Sequence, residues 1–491
     1  MTVELFVPEA IAPTAPAFLR LHTLAETEDA TRIRLMGMLR KARQSNTRQL
    51  SYYEGSKRLR DMGIAIPPHL LDIEAVVGWP EIVVDVVDER QDWRGWYVPG
   101  DDLGLDTVTE QNNLPLHVGQ AVLDSLINGI SFLTVGTGED TEPDVLVRPA
   151  SPSVMTGTWS DRTARLADAL VELYDANGHR NGWRMYLPNE TITLSTKPNR
   201  VVVTNRDQHN KGRVPVAAVR NRPRLDRPYG RSEITRAVRS ITETGMRTLL
   251  GMEVAREFYG APQRYLMGAD ESMFVDLDGN KKSQWDAVIG KMLAIPRDEN
   301  DELPVPGSFA GASPLPFTEV LKTLTQLMSG ATGLPASHLG FHTDNPSSAD
   351  AIRESNSRLD KRAVRRRGPY DLGLIEVGEL AVLWRDGELP PPGSIKSLWS
   401  DPSTPTPQAA ADRTIKLVGA GILPADSDIV LEGLGFSVDD IVRIRSDRLR
   451  ETGRQTIAAL GAAASAVRTQ QPGVQPVQPM MPGVPGVGLN G

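Results

Sequence analysis

The chain has 491 residues, of which 54 are Lys or Arg and 62 are Asp or Glu, and its formal net charge is −8. Proteins that grip nucleic acid are normally basic, so this composition excludes a general DNA-binding surface and leaves only local basic patches. The chain contains no cysteine, which excludes disulfides, thiolate metal sites and cysteine nucleophiles.

Hydrophobic residues make up 40% of the chain and charged residues 24%, as in soluble globular proteins with several small domains. The N-terminal sequence MTVELFVPEAIAP has neither the basic region nor the long apolar region of a secretory signal. Since no run of about 18 apolar residues occurs, no membrane-spanning helix and no membrane partner are predicted. We therefore expect synthesis in the cytoplasm.

The first half of the chain predicts helices followed by a meander of short strands. Residues 17–60 carry leucine and isoleucine at helical spacing, and residues 115–128 also form a helical pattern. The run ISFLTVG predicts a strand. Between residues 144 and 219 five β-like runs alternate with turns, and hairpin turns are expected at Asn177-Gly178 and Asn181-Gly182. The pattern is that of an α+β protein.

The longest predicted helix covers residues 231–260 and has a single apolar stripe: Ile234, Val238, Ile241, Leu249, Met252 and Tyr259. Gly245 and Gly251 weaken this helix and mark a bend or a close approach. A polar, Pro-rich lobe follows at 263–315, and then a helix at 317–330 that ends at Gly330. These segments predict a hairpin-shaped strut.

A further helix is expected at 348–367, where Ser347 and Asp350 have the spacing of a capping box. Residues 408–468 are amphipathic and helical, with a turn at GAGILPADS. The uncharged tail after Arg468 repeats Pro, Gly, Val and Gln and is predicted to be disordered.

No motif in the chain predicts catalysis. Both the P-loop pattern GxxxxGK[ST] and the nucleophile elbow GxSxG are absent. His338 and His342 are four residues apart, but no glutamate lies between them and Gly340 disfavours a helix, so a loop is favoured over a metal site. We predict no catalytic residue, no metal and no cofactor.

Three further groups have both a functional and a structural interpretation. An acidic run could bind a cation, although a solvated loop is favoured: Asp298, Glu299, Asp301 and Glu302. A basic run could contact phosphate, although favourable interaction with the dipole at the end of helix 348–367 is preferred: Arg362, Arg365, Arg366 and Arg367. Four aromatic residues could stack on bases, although packing is favoured: Tyr52, Tyr53, Trp93 and Trp96.

Several segments, in order, resemble the portal proteins of tailed bacteriophages, especially siphophages of actinobacteria. The first is SYYEG, in which YYEG covers residues 52–55. The second is VVDVVDERQDWRGW, with Asp88, Glu89 and Arg90, which resembles a strand-to-helix segment of the family. The others are LINGISFLTVG, PYGRSEIT with Gly230 and Ser232, TGLPASHLGF, SSADAIRES, and DPSTPTPQAAADRTIKLVGAGILP. The resemblance covers residues 20 to 455. No segment is as specific as a P-loop, but their order strengthens the match.

The resemblance implies an α+β, helix-rich portal fold that assembles as a ring. Its domains would be an N-terminal arm (1–19), a wing (20–228 and 348–403), stem helices (229–262 and 316–338), a clip (263–315), a tunnel loop (339–347), a crown (404–468) and a disordered tail (469–491).

The same resemblance implies which residues meet DNA or partners. The tunnel loop would present Phe341, His342, Thr343, Asp344 and Asn345. The basic residues of the stem and channel would be Arg236, Arg239 and Arg247. The docking surface of the clip would include Asp276, Asp278, Asp298, Glu299, Asp301 and Glu302.

The implied function is that of a channel at one capsid vertex, a ring of usually twelve copies through which double-stranded DNA is packaged and ejected. The partners would be the large terminase subunit, a head-tail adaptor, and the major capsid and scaffolding proteins, in the virion and, during assembly, in the host cytoplasm. An acidic chain suits DNA that slides without tight binding.

Two alternatives remain from the sequence. One is another structural protein of the virion, such as a minor capsid or adaptor subunit. The other is a nucleic-acid-processing enzyme fused to a scaffold, against which the missing nucleotide and metal motifs count.

Overall fold

The computed structural model describes residues 23–57, 75–100, 103–197, 200–259, 264–267, 305–308, 313–340, 349–403 and 407–469. The chain divides into two compact units, with the boundary between Ser403 and Thr404. The first unit mixes helices and strands, and the elements described in the second are helices, so the predicted α+β class is confirmed. Among the described residues, no helix combines the length and apolarity needed to span a bilayer.

The helices described in the first unit are α1 (Glu26–Tyr53), α2 (Trp79–Asp88), α3 (Leu105–Gln111), α4 (Leu114–Asn128), α5 (Arg236–Tyr259), α6 (Leu315–Thr332) and α7 (Ala349–Asp386). A short 3-10 helix, Ala336–Leu339, follows α6. Those of the second unit are α8 (Pro407–Gly419), α9 (Asp428–Gly433) and α10 (Val438–Thr469).

The described strands are β1 (Trp93–Tyr97), β2 (Ile130–Thr137), β3 (Val145–Ala150), β4 (Met155–Ser160), β5 (Arg165–Tyr174), β6 (Arg180–Tyr186), β7 (Thr191–Lys197), β8 (Arg200–Asp207), β9 (Val216–Arg220), β10 (Arg264–Met267), β11 (Val305–Ser308) and β12 (Lys396–Trp399). An antiparallel meander forms a five-stranded sheet in the order β4-β5-β6-β7-β8. A second sheet has the order β3-β2-β9, and two ribbons pair β1 with β12 and β10 with β11.

Helix α1 packs on the five-stranded sheet. Its Leu35 and Leu39 are buried in one cluster with Trp183, Met185 and other residues of the sheet. An ionic contact reinforces the helix start, because the Arg206 guanidinium on β8 donates to both carboxylate oxygens of Glu28, at 2.8 and 2.9 Å. This packing holds α1 in one position on the sheet.

Helix α7 lies across the three-stranded sheet. Tyr370 is fully buried in the main apolar core of the unit, which also contains residues of α2, α4 and β2. Gly373 approaches the Ala218 carbonyl of β9 so closely that a Cβ there would overlap it. The absent side chain therefore allows α7 to lie directly on the strand.

The predicted helix 348–367 is too short, because α7 continues to Asp386 through Pro369. Most of its described apolar residues beyond the proline are buried, for example Leu374, Val377 and Leu380, so tertiary packing outweighs the local cost of Pro369. The run Arg362–Arg367 consequently lies in mid-helix, and the interaction predicted for it with the C-terminus of its own helix is wrong.

The strand-to-helix order inferred for VVDVVDERQDWRGW is reversed. Helix α2 comes first, with Pro80 in its first turn, and strand β1 follows. Four valines of α2 are buried in the core, namely Val83, Val84, Val86 and Val87. Their burial overrides the β preference of valine, which is a weak determinant.

In the meander, the five predicted runs are strands, and Asn177-Gly178 lies in the turn between β5 and β6. The turn predicted at Asn181-Gly182 is wrong, because Gly182 is inside β6 and pairs with Ser195. A Cβ at Gly182 would overlap the Leu194 carbonyl, so this glycine serves a close strand approach. The sequence analysis also missed β4 and β9.

The ends of the strut helices differ from their predicted positions. Helix α5 begins at Arg236 rather than at residue 231. Helix α6 continues past Gly330 to Thr332, and Gly333 caps it with φ of 72°. The region 408–468 is helical with a turn, as predicted. The capping box at Ser347 and the tail after 469 lie outside the described residues.

Gly245 provides a test of how α5 packs against α2. A Cβ at this position would lie 2.9 Å from the ring of the buried Trp79, whereas a Cβ at the exposed Gly37 of α1 would meet nothing within 4 Å. We expect Gly245→Ala to destabilise the fold by about 1 kcal/mol, because overpacking outweighs the gain in helix propensity. Gly37→Ala should be neutral or stabilising. Urea unfolding of both variants checks this, and equal midpoints would contradict it.

Candidate functional site

The paired helices α5 and α6 form the strut predicted from the sequence. Their buried apolar residues include Val238, Met246 and Leu250 on α5 and Leu324 and Met328 on α6. The two helices meet closely, since a Cβ at Gly251 would lie 3.4 Å from the Phe317 ring. Gly251 and Gly245 therefore both lie where another side chain approaches the helix closely.

A cavity of 240 Å³ lies beside the helix pair. It is lined by Val76, Val77, Trp79, Leu249, Thr318, Leu321 and Leu339. None of these side chains titrates near neutral pH, so the lining offers no general acid, base or nucleophile. The cavity is a packing feature of the helix pair.

The segment before α5 is fixed by backbone hydrogen bonds to the three-stranded sheet. The Arg231 amide donates to the Asn221 carbonyl at 2.7 Å, and the Asn221 amide donates to the Gly129 carbonyl at 2.9 Å. Gly230 has φ of 78°, and a Cβ there would overlap both carbonyls. Only glycine fits this position, which directs the chain from the sheet into the helix.

A buried ion pair joins this segment to the middle of α7. The Arg366 guanidinium donates from Nε and Nη2 to Oε1 of Glu233, at 2.9 and 2.8 Å. The two residues are only 5% and 6% exposed. Asn221 Nδ2 also donates to Glu233 Oε1 at 3.0 Å, and Arg222 donates to Oε2 at 3.2 Å. The carboxylate is thus surrounded by donors.

The charge state of Glu233 follows from these contacts. Burial raises the pKa of Glu233, but the charges of Arg366 and Arg222 and the hydrogen bond from Asn221 outweigh it, so the pKa lies below that of an ordinary glutamate. Glu233 is therefore ionised at neutral pH.

The cationic residues around this ion pair extend to the end of α6. A Cβ at Gly333, the cap of α6, would lie 2.5 Å from Arg362 Nη1 and 3.3 Å from Arg358 Nε. Both guanidiniums thus lie at the C-terminus of α6, where the helix dipole is negative. Of the predicted arginine run, Arg362 therefore interacts with a helix dipole, but with that of α6.

The three basic residues predicted for the stem have different surroundings. Arg236 and Arg247 are exposed on α5 and are eleven residues apart, which places them on the same face of the helix. Arg239 is half-buried and donates to Gln49 Oε1 of α1 at 3.1 Å and to the Ile234 carbonyl at 2.9 Å. Arg239 is therefore held against α1.

The other predicted site residues lie outside the described residues. They are the tunnel-loop residues Phe341, His342, Thr343, Asp344 and Asn345 and the clip residues Asp276, Asp278, Asp298, Glu299, Asp301 and Glu302. What is described of the lobe is its antiparallel ribbon, in which Arg264 pairs with Ser308 and Met267 with Val305.

The structural interpretation of the aromatic residues agrees with their burial. Tyr52, Trp93 and Trp96 are buried in the main core, where Trp96 Nε1 donates to the Leu374 carbonyl at 2.9 Å. Within the described ranges, no group of three or more His, Cys, Asp or Glu side chains is placed to hold a metal ion.

The ion pair at the start of the strut is not among the features predicted from the sequence. Glu233 lies in the motif PYGRSEIT and Arg366 in the arginine run, but 133 residues separate them along the chain. The sequence shows only that Glu233 follows Gly230 by three residues in an arginine-rich segment. That signal does not identify the partner.

These features define a protein without a catalytic centre in its described part, in which two long paired helices extend from an α+β body. A sequence profile of phage portal proteins of the SPP1 Gp6-like type matches residues 81–429. The chain belongs to this family of phage portal proteins. It is accordingly a structural protein of the virion and not an enzyme.

Relatives among mycobacteriophages support the same assignment. The portal protein of Mycobacterium phage D29 is 32% identical over 417 residues, which cover 82% of this chain and 84% of the relative. The portal protein of Mycobacterium phage L5 is 30% identical over 446 residues, which cover 88% of each chain.

Among solved structures, a chain from the neck of a native gene transfer agent particle, computed with C12 symmetry, is similar with a TM-score of 0.41 and 14% identity. The match covers 76% of this chain and 94% of that one. A chain from the neck of the empty particle gives a TM-score of 0.40 and 15% identity, over 78% and 98% of the two chains.

Replacing Glu233 tests the anchor of the strut. Glu233→Gln leaves the buried Arg366 without its counter-charge, so we expect a loss of about 3 kcal/mol in the free energy of unfolding at pH 7. Because the folded pKa of Glu233 is lowered, the ion pair contributes fully above the ordinary value of 4.5 and is lost as the pH falls through the folded pKa.

The matched control is Glu319→Gln at an exposed position on α6, which should change stability by less than about 0.5 kcal/mol. Urea unfolding at pH 7 and at pH 3 compares the two variants with the wild type. A Glu233→Gln variant as stable as the control at pH 7 would show that the ion pair does not hold the strut.

Proposed function

We propose that copies of this chain form a closed ring at one vertex of the capsid, and that double-stranded DNA passes through the ring during packaging and ejection. Membership of the portal family supports this proposal. The ring is expected to contain twelve copies, as the resemblance in sequence implied.

The observation that carries the ring is the uncovered apolar surface of the strut. On α6, Leu315, Val320 and Leu327 are 67%, 44% and 55% exposed. Val320 and Leu327 are seven residues apart and so lie on one face. A neighbouring copy would cover this face, and repeated head-to-tail contacts between identical copies close into a ring when the rotation allows it.

In this assembly the segments of the chain take separate roles. Residues 229–262 and 316–338 are the stem, 263–315 the clip, 404–468 the crown, and 20–228 with 348–403 the wing. Residues 1–19 form an arm and 469–491 a tail. The loop 339–347 is the segment nearest to the DNA, and Arg236 and Arg247 face the channel from the stem.

The partners follow from the same arrangement. The acidic side chains of the clip, including Asp298 and Glu302, form the docking surface for the large terminase subunit and then for the head-tail adaptor. Major capsid and scaffolding proteins contact the ring during assembly in the host cytoplasm. DNA is not bound tightly in the channel, since each phosphate contact would add affinity and salt dependence in every copy.

Electron microscopy of the purified protein tests the ring directly. Closed rings with an axial hole are the expected particles, and image classification gives the number of copies. Monomers or open sheets at micromolar concentration would count against the ring. A double variant, Val320→Lys with Leu327→Lys, should reduce ring formation, whereas Thr323→Lys with Gln326→Lys, at exposed positions of the same helix, adds equal charge without removing apolar area.

The tunnel loop can be tested by adding positive charge to it. Asp344→Lys with Asn345→Lys would create a ring of cations around the passing DNA, which slows sliding because phosphate contacts form in every copy. We expect packaged DNA per particle to fall while rings still assemble. Asp344→Asn with Asn345→Gln is the control. Normal packaging by the lysine variant would remove this loop from the channel.

A further inference from the structure

A basic groove runs along helix α1 of the body. It has a volume of 560 Å³ and is lined by Arg40, Arg43, Gln44, Thr47, Arg48, Ser51 and Lys57. Every one of these side chains donates hydrogen bonds, and none is acidic or apolar. In a chain with a net charge of −8, such a surface is unusual.

Within the part of the chain that the structure describes, three of the four cations have no ion-pair partner. Arg43 is the exception, because it pairs with Glu172 and donates to the Ser153 carbonyl at 3.1 Å. Arg40, Arg48 and Lys57 make no ion pair with a described residue. The Lys57 ammonium lies 5.6 Å from the centre of the Tyr52 ring, an arrangement that holds the cation without neutralising it.

Two acids near the groove have partners of their own. Glu172 accepts from Arg43, from Arg180 at 3.0 Å and from the Tyr174 hydroxyl at 2.7 Å. Glu243 accepts from the Tyr52 hydroxyl. Among the described contacts, neither carboxylate forms an ion pair with Arg40, Arg48 or Lys57.

The positive field extends to the start of the strut. Burial first, and then the charge of Arg48, lower the pKa of Arg239. A second arginine thus raises the positive potential at the Arg48 end of the groove, and an anion placed there would relieve the repulsion.

We propose that this groove binds the phosphodiester backbone of double-stranded DNA, outside the channel and independently of base sequence. Arginine, lysine, serine, threonine and glutamine are the side chains that contact phosphates in protein–DNA complexes. Residues 40, 44, 47 or 48, and 51 recur every three or four positions and extend over about 16 Å of helix. Phosphates of one strand are spaced about 3.4 Å apart along the duplex axis, so several of them lie within reach of this length.

An acidic protein segment is the less favourable occupant. Such a segment also presents apolar and backbone groups, which need apolar pockets or hydrogen-bond acceptors in the groove. The lining offers no apolar side chain, and its side-chain acceptors are limited to the oxygens of Gln44, Thr47 and Ser51. A duplex backbone presents a repeating row of acceptors and needs neither. The donor side chains of the groove therefore suit a row of phosphate oxygens.

The test uses relaxed, closed-circular double-stranded DNA and the assembled full-length protein. Closed-circular DNA cannot be threaded through a preformed ring, so its binding reports on the outer surface alone. The variant is Arg40→Gln, Arg48→Gln and Lys57→Gln together. The control removes equal charge at three exposed positions of the second unit, through Arg413→Gln, Arg448→Gln and Arg454→Gln.

We expect the groove variant to reduce the slope of log K against log[salt] by about 2.7, which corresponds to three lost phosphate contacts per site. The control variant should keep the wild-type slope, and so should Arg40→Lys with Arg48→Lys, because the charges remain. Circular dichroism on heating confirms that each variant is folded.

Two results would overturn the proposal. One is an unchanged slope in the groove variant, or no binding of circular DNA by the wild type. The other is loss of ring assembly in the groove variant but not in the control, which would assign the groove to a contact between copies. Neither result affects the channel, which linear DNA and packaging assays test separately.

Discussion

The strut depends on the buried ion pair between Glu233 and Arg366. One partner immediately precedes α5 and the other is in the middle of α7, so the pair joins two elements that are distant in sequence. Two buried charges stabilise a fold only when hydrogen bonds satisfy them, and here Asn221 and Arg222 supply the remaining donors. The direction in which α5 leaves the body is therefore set by electrostatics as well as by apolar packing.

Glu376 on α7 is a second buried carboxylate, and its pKa depends on how closely the neighbouring arginines approach. Arg165 and Arg213 approach Glu376 at 3.4 Å, farther than Arg366 approaches Glu233. Burial raises the pKa of Glu376 to about 7, and the two cations only partly oppose it. The folded protein thus favours the protonated form of Glu376. The resulting contribution to stability is fully present below the ordinary pKa of a glutamate and is lost as the pH rises toward 7. Two glutamates with arginine neighbours therefore respond to pH in opposite directions.

Residue patterns predict the class of the fold, the meander and the paired helices, because amphipathic spacing and turn glycines are local signals. They fail where tertiary contacts override local preference: the valines of α2 form a helix in the core, and α7 passes through Pro369 because residues beyond it remain buried. Of the candidate site, the exposed Arg236 and Arg247 could be placed on their helix from spacing alone. The partner of Glu233 could not, because no local rule links residues 133 positions apart.

The ribbon of β10 and β11 separates the lobe from the strut. Its four paired positions, from Arg264 with Ser308 to Met267 with Val305, bring together the two points where the chain leaves and re-enters the helix pair. The spacing of those points is therefore set before the intervening segment begins, and loop-closure entropy changes only slowly with its length. The ribbon therefore keeps the two ends of the intervening segment at a fixed separation, whatever the sequence of that segment.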